Sequence, residues 1–204
     1  VGYNVSCEPA SPVVRPLKIV VAGGFGAGKT TLVGTVSEVE PLVTEAVLTQ
    51  AGQHIDDLTG VEGKKTTTVA MDFGKITLPS PTDTIVVMLF GTPGQERFRS
   101  MWDELSQRAA GAVVLADTRR LDDAFDAINY FEQRGTVFIV AVNQFDGAPI
   151  YLLDEIREAL ELGAHVPVLS CDARDRTSVL DVLKELVKHA LAQSLPTGAP
   201  GACL

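Results

Sequence analysis

The chain has 204 residues, 46% of them hydrophobic, and a formal net charge of −9. That is the size and composition of one globular domain with short ends, and the acidic balance excludes a general nucleic-acid binder, which needs a basic footprint. No apolar run approaches the roughly 18 residues of a membrane helix, the start lacks the basic-then-apolar pattern of a secretory leader, and three cysteines (Cys7, Cys171, Cys203) suit a reducing cytoplasm better than a disulfide framework.

Residues 1–16 contain three prolines and no hydrophobic period, so they read as a flexible arm. Leu17 to Ala22 is a short apolar run expected to form a buried strand. It leads into Gly23-Gly24-Phe25-Gly26-Ala27-Gly28-Lys29-Thr30, which fits G-x-x-x-x-G-K-[ST], and a helix is predicted from Thr31 to about Glu40, stopped by Pro41. Strand, glycine-rich loop and helix in that order form a phosphate cradle. The glycines let backbone N–H groups curl around phosphate oxygens, the helix N-terminus adds partial positive charge, Lys29 adds a full charge, and the Thr30 hydroxyl can ligate Mg²⁺.

Residues 42–67 are long and mixed, with a short helical turn expected near Thr44–Gln50 and loosening at Gly60 and Gly63. Two antiparallel strands follow, Val69–Leu78 and Thr84–Phe90, turned by Pro79-Ser80-Pro81. Pro93 and Gly94 break the second strand before a helix over Glu96–Ala109. Strand and helix then alternate: strand Ala112–Ala116, helix Leu121–Arg134, strand Val137–Val142, helix Tyr151–Leu160, strand Val166–Ser170, helix Ser178–Ala192. This alternation predicts an α/β fold: a six-stranded, mostly parallel sheet with one antiparallel pair at its edge and helices on both faces. Residues 17–192 form the domain, and 193–204 read as a tail by their Pro, Gly and Ala content.

Ligands of an open α/β sheet sit at the carboxyl ends of its strands. Three such ends carry polar clusters: Phe90-Gly91-Thr92-Pro93-Gly94-Gln95-Glu96, Asn143-Gln144-Phe145-Asp146 and Cys171-Asp172-Ala173-Arg174. A carboxylate at Asp146 can accept two hydrogen bonds from guanine N1–H and its exocyclic amine, a pair adenine cannot donate.

On these strings the chain resembles a Ras-superfamily small GTPase over roughly residues 17–192. More narrowly, Val20-Val21-Ala22-Gly23-Gly24-Phe25-Gly26, Phe90-Gly91-Thr92-Pro93-Gly94-Gln95 and Cys171-Asp172-Ala173-Arg174 resemble the actinobacterial conservon GTPases, relatives of the bacterial gliding-motility GTPase. The resemblance implies a P-loop G domain that binds GTP or GDP with Mg²⁺. It assigns the phosphates to residues 23–30 with Thr31, and the γ-phosphate sensor to Gly94. Asn143 braces the loop and Asp146 reads guanine. The Ala173 N–H meets the guanine carbonyl, with Gln144, Asp172 and Arg174 flanking the base. Gln144 stands where lysine is usual, and Asp172-Ala173-Arg174 stands where Ser-Ala-Lys is usual. Gln95 falls at the position of the glutamine that aligns the attacking water. Thr68, or Thr67 one register away, falls where a switch threonine reaches Mg²⁺.

Three departures accompany the resemblance. Gly91 stands where the metal-supporting aspartate is usual, so that support is weaker or comes from Asp72 or a switch carboxylate. Phe25 places a ring beside the γ-phosphate. The interval from Lys29 to Thr68 is 39 residues, about twice the Ras spacing, which enlarges the first switch. A regulatory switch with slow hydrolysis is the leading expectation. A nucleotide-bound scaffold and a P-loop ATPase or kinase are the alternatives. The expected partners are a roadblock-type dimer and unidentified effectors, with no direct nucleic-acid binding. The expected location is cytoplasmic, with any membrane contact made through partners.

Overall fold

The computed structural model describes residues 13–40, 71–79, 83–94 and 100–194. The expected arm up to residue 12, the first switch, Gln95, the Thr67/Thr68 pair and the expected tail from 195 lie outside the described residues. Among the described residues there are six strands and five helices: β1 Val13–Gly23, α1 Lys29–Val36, β2 Asp72–Pro79, β3 Asp83–Gly91, α2 Ser100–Ser106, β4 Gly111–Asp117, α3 Phe125–Gln133, β5 Phe138–Asn143, α4 Leu153–Ala159, β6 Val168–Cys171 and α5 Arg176–Ser194. The sheet order is β2-β3-β1-β4-β5-β6, with β2 antiparallel to β3 and every other pair parallel. This is the expected α/β sheet with its antiparallel edge pair.

Alternation along β1 divides the core. Ile19 and Val21 are buried in the cluster formed with Leu32 and Val36 of α1 and Val179, Leu183 and Leu186 of α5. Val20 and Ala22 point to the opposite cluster, with Trp102 of α2, Phe131 of α3 and Ile156 of α4. A strand buried on both faces carries an unbroken apolar run, which is what Ile19–Ala22 shows.

Element ends differ from expectation for tertiary reasons. β1 starts at Val13 because its first residues pair with β3 from Asp83 onward; pairing with β4 begins only at Ile19. Pro16, which lacks an N–H, is accommodated in that one-sided stretch. α1 ends at Val36, not near Pro41. Ser37 turns extended, its Oγ accepts the Val39 and Lys75 amides, and the Glu38 carboxylate accepts the Thr77 amide and hydroxyl, each at 2.8 Å. The chain leaves the helix to bind β2. The helix expected over Leu121–Arg134 opens as a 3-10 turn, Leu121–Ala124, before α3. β6 starts after Pro167, whose carbonyl accepts the Val140 amide at 2.9 Å.

Candidate functional site

The phosphate loop spans the turn from β1 into α1. Gly23, Gly26 and Gly28 have φ of 139°, 76° and 103°, values that L side chains rarely adopt. Gly28 is also pinned by a neighbour, because a Cβ there would stand 2.4 Å from Asn143 Nδ2. Lys29 is 8% exposed and folds back over the loop, donating to the Gly23 carbonyl at 2.9 Å and the Gly24 carbonyl at 2.7 Å. Burial depresses its ammonium pKa to about 8, and the Asp72 carboxylate only partly offsets this. A buried ammonium held by carbonyls at a helix N-terminus is poised to donate to phosphate oxygens.

Gly94 closes over this lysine. A Cβ on Gly94 would lie 2.8 Å from Lys29 Nζ and 3.0 Å from the Phe25 Cα, so the residue must be glycine for the turn after β3 to reach the loop. Trp102 Nε1 donates to the Pro93 carbonyl at 3.3 Å, anchoring the same turn to α2. The Thr92 hydroxyl is buried there without a hydrogen-bond partner. Phe25 is 65% exposed, at the rim of the loop and not packed into it.

Asn143, at the end of β5, ties two clusters together. Its Nδ2 donates to the Ala27 carbonyl at 2.9 Å, and its Oδ1 accepts the Ala173 amide at 3.0 Å. The side chain is buried and both bonds are internal, so Asn143 sets the distance between the phosphate loop and the segment after β6. The Ala173 N–H, expected to face a base carbonyl, donates to Asn143 here. Asp146 carries an exposed carboxylate (88%) that accepts from Arg174 at 3.0 and 3.3 Å. Arg174 also grips Asp172 through Nε and Nη2, both at 3.0 Å, and these bonds hold the Asp172 carboxyl below its usual range. Gln144 donates to Ser170 Oγ at 2.7 Å. Asp146, Gln144 and Arg174 line a cleft of about 450 Å³ with Phe145, Pro149 and Tyr151.

Several residues with no motif complete the site. Asp117 ends β4 nearly buried and takes a two-point contact from Arg119, whose guanidinium lies 3.8 Å from the Phe145 ring centroid. Burial alone would raise the Asp117 pKa; the Arg119 bonds outweigh it and the carboxyl is lowered. Asp123 packs where a Cβ on Gly24 would go, and Arg120 Nη2 donates to the Phe25 carbonyl. Sequence reading missed these four. The Asp117-Thr118-Arg119-Arg120 string does follow a predicted strand end, a cue that could have found three of them.

For a divalent cation, the residues present fit. Thr30 Oγ1 donates to Asp72 Oδ2 at 2.8 Å, which sets two hard oxygen groups beside Lys29 and the loop. Mg²⁺ bound with nucleotide takes few protein oxygens and completes its octahedron with phosphate and water. Among the described residues no helix is long and apolar enough to cross a membrane.

Comparison with known proteins agrees with this geometry. A family described as "Conserved hypothetical ATP binding protein" matches residues 21–193. The human Ras-related protein Rab-7b is 24% identical over 189 residues, covering 87% of this chain and 83% of its own. Translation initiation factor IF-2 of Syntrophobacter fumaroxidans is 26% identical over 192 residues, covering 86% of this chain and 17% of the factor. A probable IF-2 of Haloquadratum walsbyi is 29% identical over 136 residues, covering 64% of this chain and 20% of the factor. The chain thus spans only about a fifth or less of the initiation factors it matches. The glycine-rich loop, its buried lysine and the strand-end asparagine fit a P-loop nucleotide-binding protein, and the chain belongs to the family described as conserved hypothetical ATP binding proteins.

Proposed function

We propose that the chain binds guanine nucleotide with Mg²⁺ and hydrolyses GTP slowly, as a two-state switch. The observation that carries the reading is the pair of hydrogen bonds made by the Asn143 side chain. It holds the loop carbonyl of Ala27 and the amide of Ala173 on one side chain, with the exposed Asp146 carboxylate, held by Arg174, at the same strand edge. A guanine entering beside Asp146 exchanges the Arg174 bonds for its own N1–H and amine donors. Arg174 keeps Asp172 as its anion and is not left uncompensated. Adenine presents a lone pair at N1 and would leave the carboxylate facing it unpaired.

The family description names ATP, and that is the second reading. It predicts adenine nucleotide in the purified protein and no effect of Asp146 on base choice. The test is nucleotide affinity of wild type and Asp146→Asn. The guanine reading expects guanine nucleotides to outcompete adenine nucleotides on wild type. It expects the variant to gain affinity for xanthine nucleotides, because an amide can donate to the xanthine carbonyl that replaces guanine's amine. Xanthine binding no better in the variant would remove Asp146 from base recognition. Within this reading Gln95 aligns water and Thr68 or Thr67 reaches the metal. A roadblock-type dimer regulates turnover, a part that rests on the sequence resemblance alone.

A further inference from the structure

Strands β2 and β3 run antiparallel with Asp72 directly opposite Gly91. A Cβ built on Gly91 would lie 2.8 Å from Asp72 Oδ2, 2.9 Å from its Cβ and 3.3 Å from its Cγ. Distances below 3.0 Å are not found for real Cβ atoms, so the Asp72 side chain occupies the volume that any side chain at position 91 would enter. The same Asp72 Oδ2 accepts the Thr30 hydroxyl at 2.8 Å, across 42 residues of sequence. It also acts on the Lys29 ammonium, raising a pKa that burial depresses.

From this we infer that Asp72, on β2, is the carboxylate that supports the nucleotide's Mg²⁺, and that residue 91 is glycine because Asp72 fills its place. The inference rests on the guanine-nucleotide reading and settles on Asp72 where the sequence left weaker support, Asp72 or a switch carboxylate open. A hydroxyl has one hydrogen and two lone pairs. With its hydrogen committed to Asp72, the Thr30 oxygen keeps its lone pairs for a cation. The carboxylate both orients that ligand and supplies negative charge near it. Asp72 is therefore a positioning residue that acts through Thr30. Loss of such an outer partner costs metal affinity roughly 10–100-fold. Among the described residues β2 pairs with β3 alone, so the carboxylate rides on the edge strand of the described sheet. Metal retention is thereby tied to the β2–β3 register.

The test follows release of a fluorescent GDP from the full chain across a Mg²⁺ titration, with release in EDTA as the metal-free reference. Asp72→Asn keeps the shape and removes the charge. It should raise the Mg²⁺ concentration needed for half-maximal retention about 10–100-fold. Gly91→Asp alone places two carboxylates in one volume and should retain GDP worse than wild type. The exchanged pair Asp72→Gly with Gly91→Asp moves the carboxylate across the ladder and should return the midpoint to within about threefold of wild type. That recovery also separates metal support from a mere structural bond, and guards against misfolding of the single variants. A wild-type Mg²⁺ midpoint in Asp72→Asn, or no recovery in a folded exchanged pair, overturns the inference while the nucleotide reading stands. Failure of wild type to retain guanine nucleotide at any Mg²⁺ concentration overturns the nucleotide reading itself.

Discussion

Lys29 makes a thermodynamic prediction that separates function from folding. Its ammonium is buried against two carbonyls, and its pKa falls from 10.5 to about 8. Each unit is worth 1.36 kcal/mol, so keeping the lysine charged at neutral pH costs the nucleotide-free fold about 3 kcal/mol. The sign follows from proton counting. Between pH 8 and 10.5 the unfolded chain holds the Lys29 proton and the folded chain has released it, so folded stability rises with pH across that window. Below pH 8 both states are protonated and the whole penalty is present. Lys29→Met removes the charge at nearly constant length. Urea unfolding of the nucleotide-free proteins should show the stability of wild type, relative to Lys29→Met, increasing by about 3 kcal/mol from pH 7 to pH 11. Taking the difference between the two proteins cancels other titrations, including the Cys171 thiol, which burial pushes up to about 11. A difference that stays constant with pH would refute the argument. Lys29→Met should also lose nucleotide binding, so the residue that destabilises the empty site is the one that fills it.

Two further expectations concern the frame of the site. Asn143→Ala leaves the Ala27 carbonyl and the Ala173 amide without their buried partner. At about 1–3 kcal/mol for each orphaned group, the variant should lose about 2–6 kcal/mol in urea unfolding, and a loss under about 0.5 kcal/mol would mean that water replaces both bonds. Arg120→Ala removes a guanidinium that now donates to the Phe25 carbonyl. If that cation helps neutralise the phosphates, single-turnover GTP hydrolysis should slow by about tenfold or more; an unchanged rate leaves Arg120 as a loop contact only.

Much of the site's phosphate half was legible in the sequence because a glycine-rich turn between strand and helix needs particular residues at contiguous positions. Gly23, Gly26 and Gly28 take positive φ in the structure, and Lys29 folds back onto the Gly23 carbonyl. For Asn143 the resemblance implies a brace on the loop, and its side chain does donate to the Ala27 carbonyl; that it also takes the Ala173 amide, expected to face a base, was not legible. The base half was less legible. That Arg174 holds Asp146 and Asp172 together, and that Arg119 lies over Phe145, depend on where side chains from separate strand ends meet. Helix ends were missed where distant backbone competes, as at Ser37, whose hydroxyl takes the Lys75 amide and draws the chain off α1.

The sequence by itself determined the alternation of strands and helices, the two-faced burial of Ile19–Ala22 and the glycine-rich turn from β1 into α1, because each of these follows from local period, turn chemistry or a contiguous motif. Only the tertiary structure decided what Gly91 means. Read along the chain, it is a missing carboxylate. Across the β2–β3 ladder it is the space that Asp72 fills, with that carboxylate on the Thr30 hydroxyl. The pairing register of two strands is a long-range choice made by packing, and no pattern within either strand encodes which residue will stand opposite position 91.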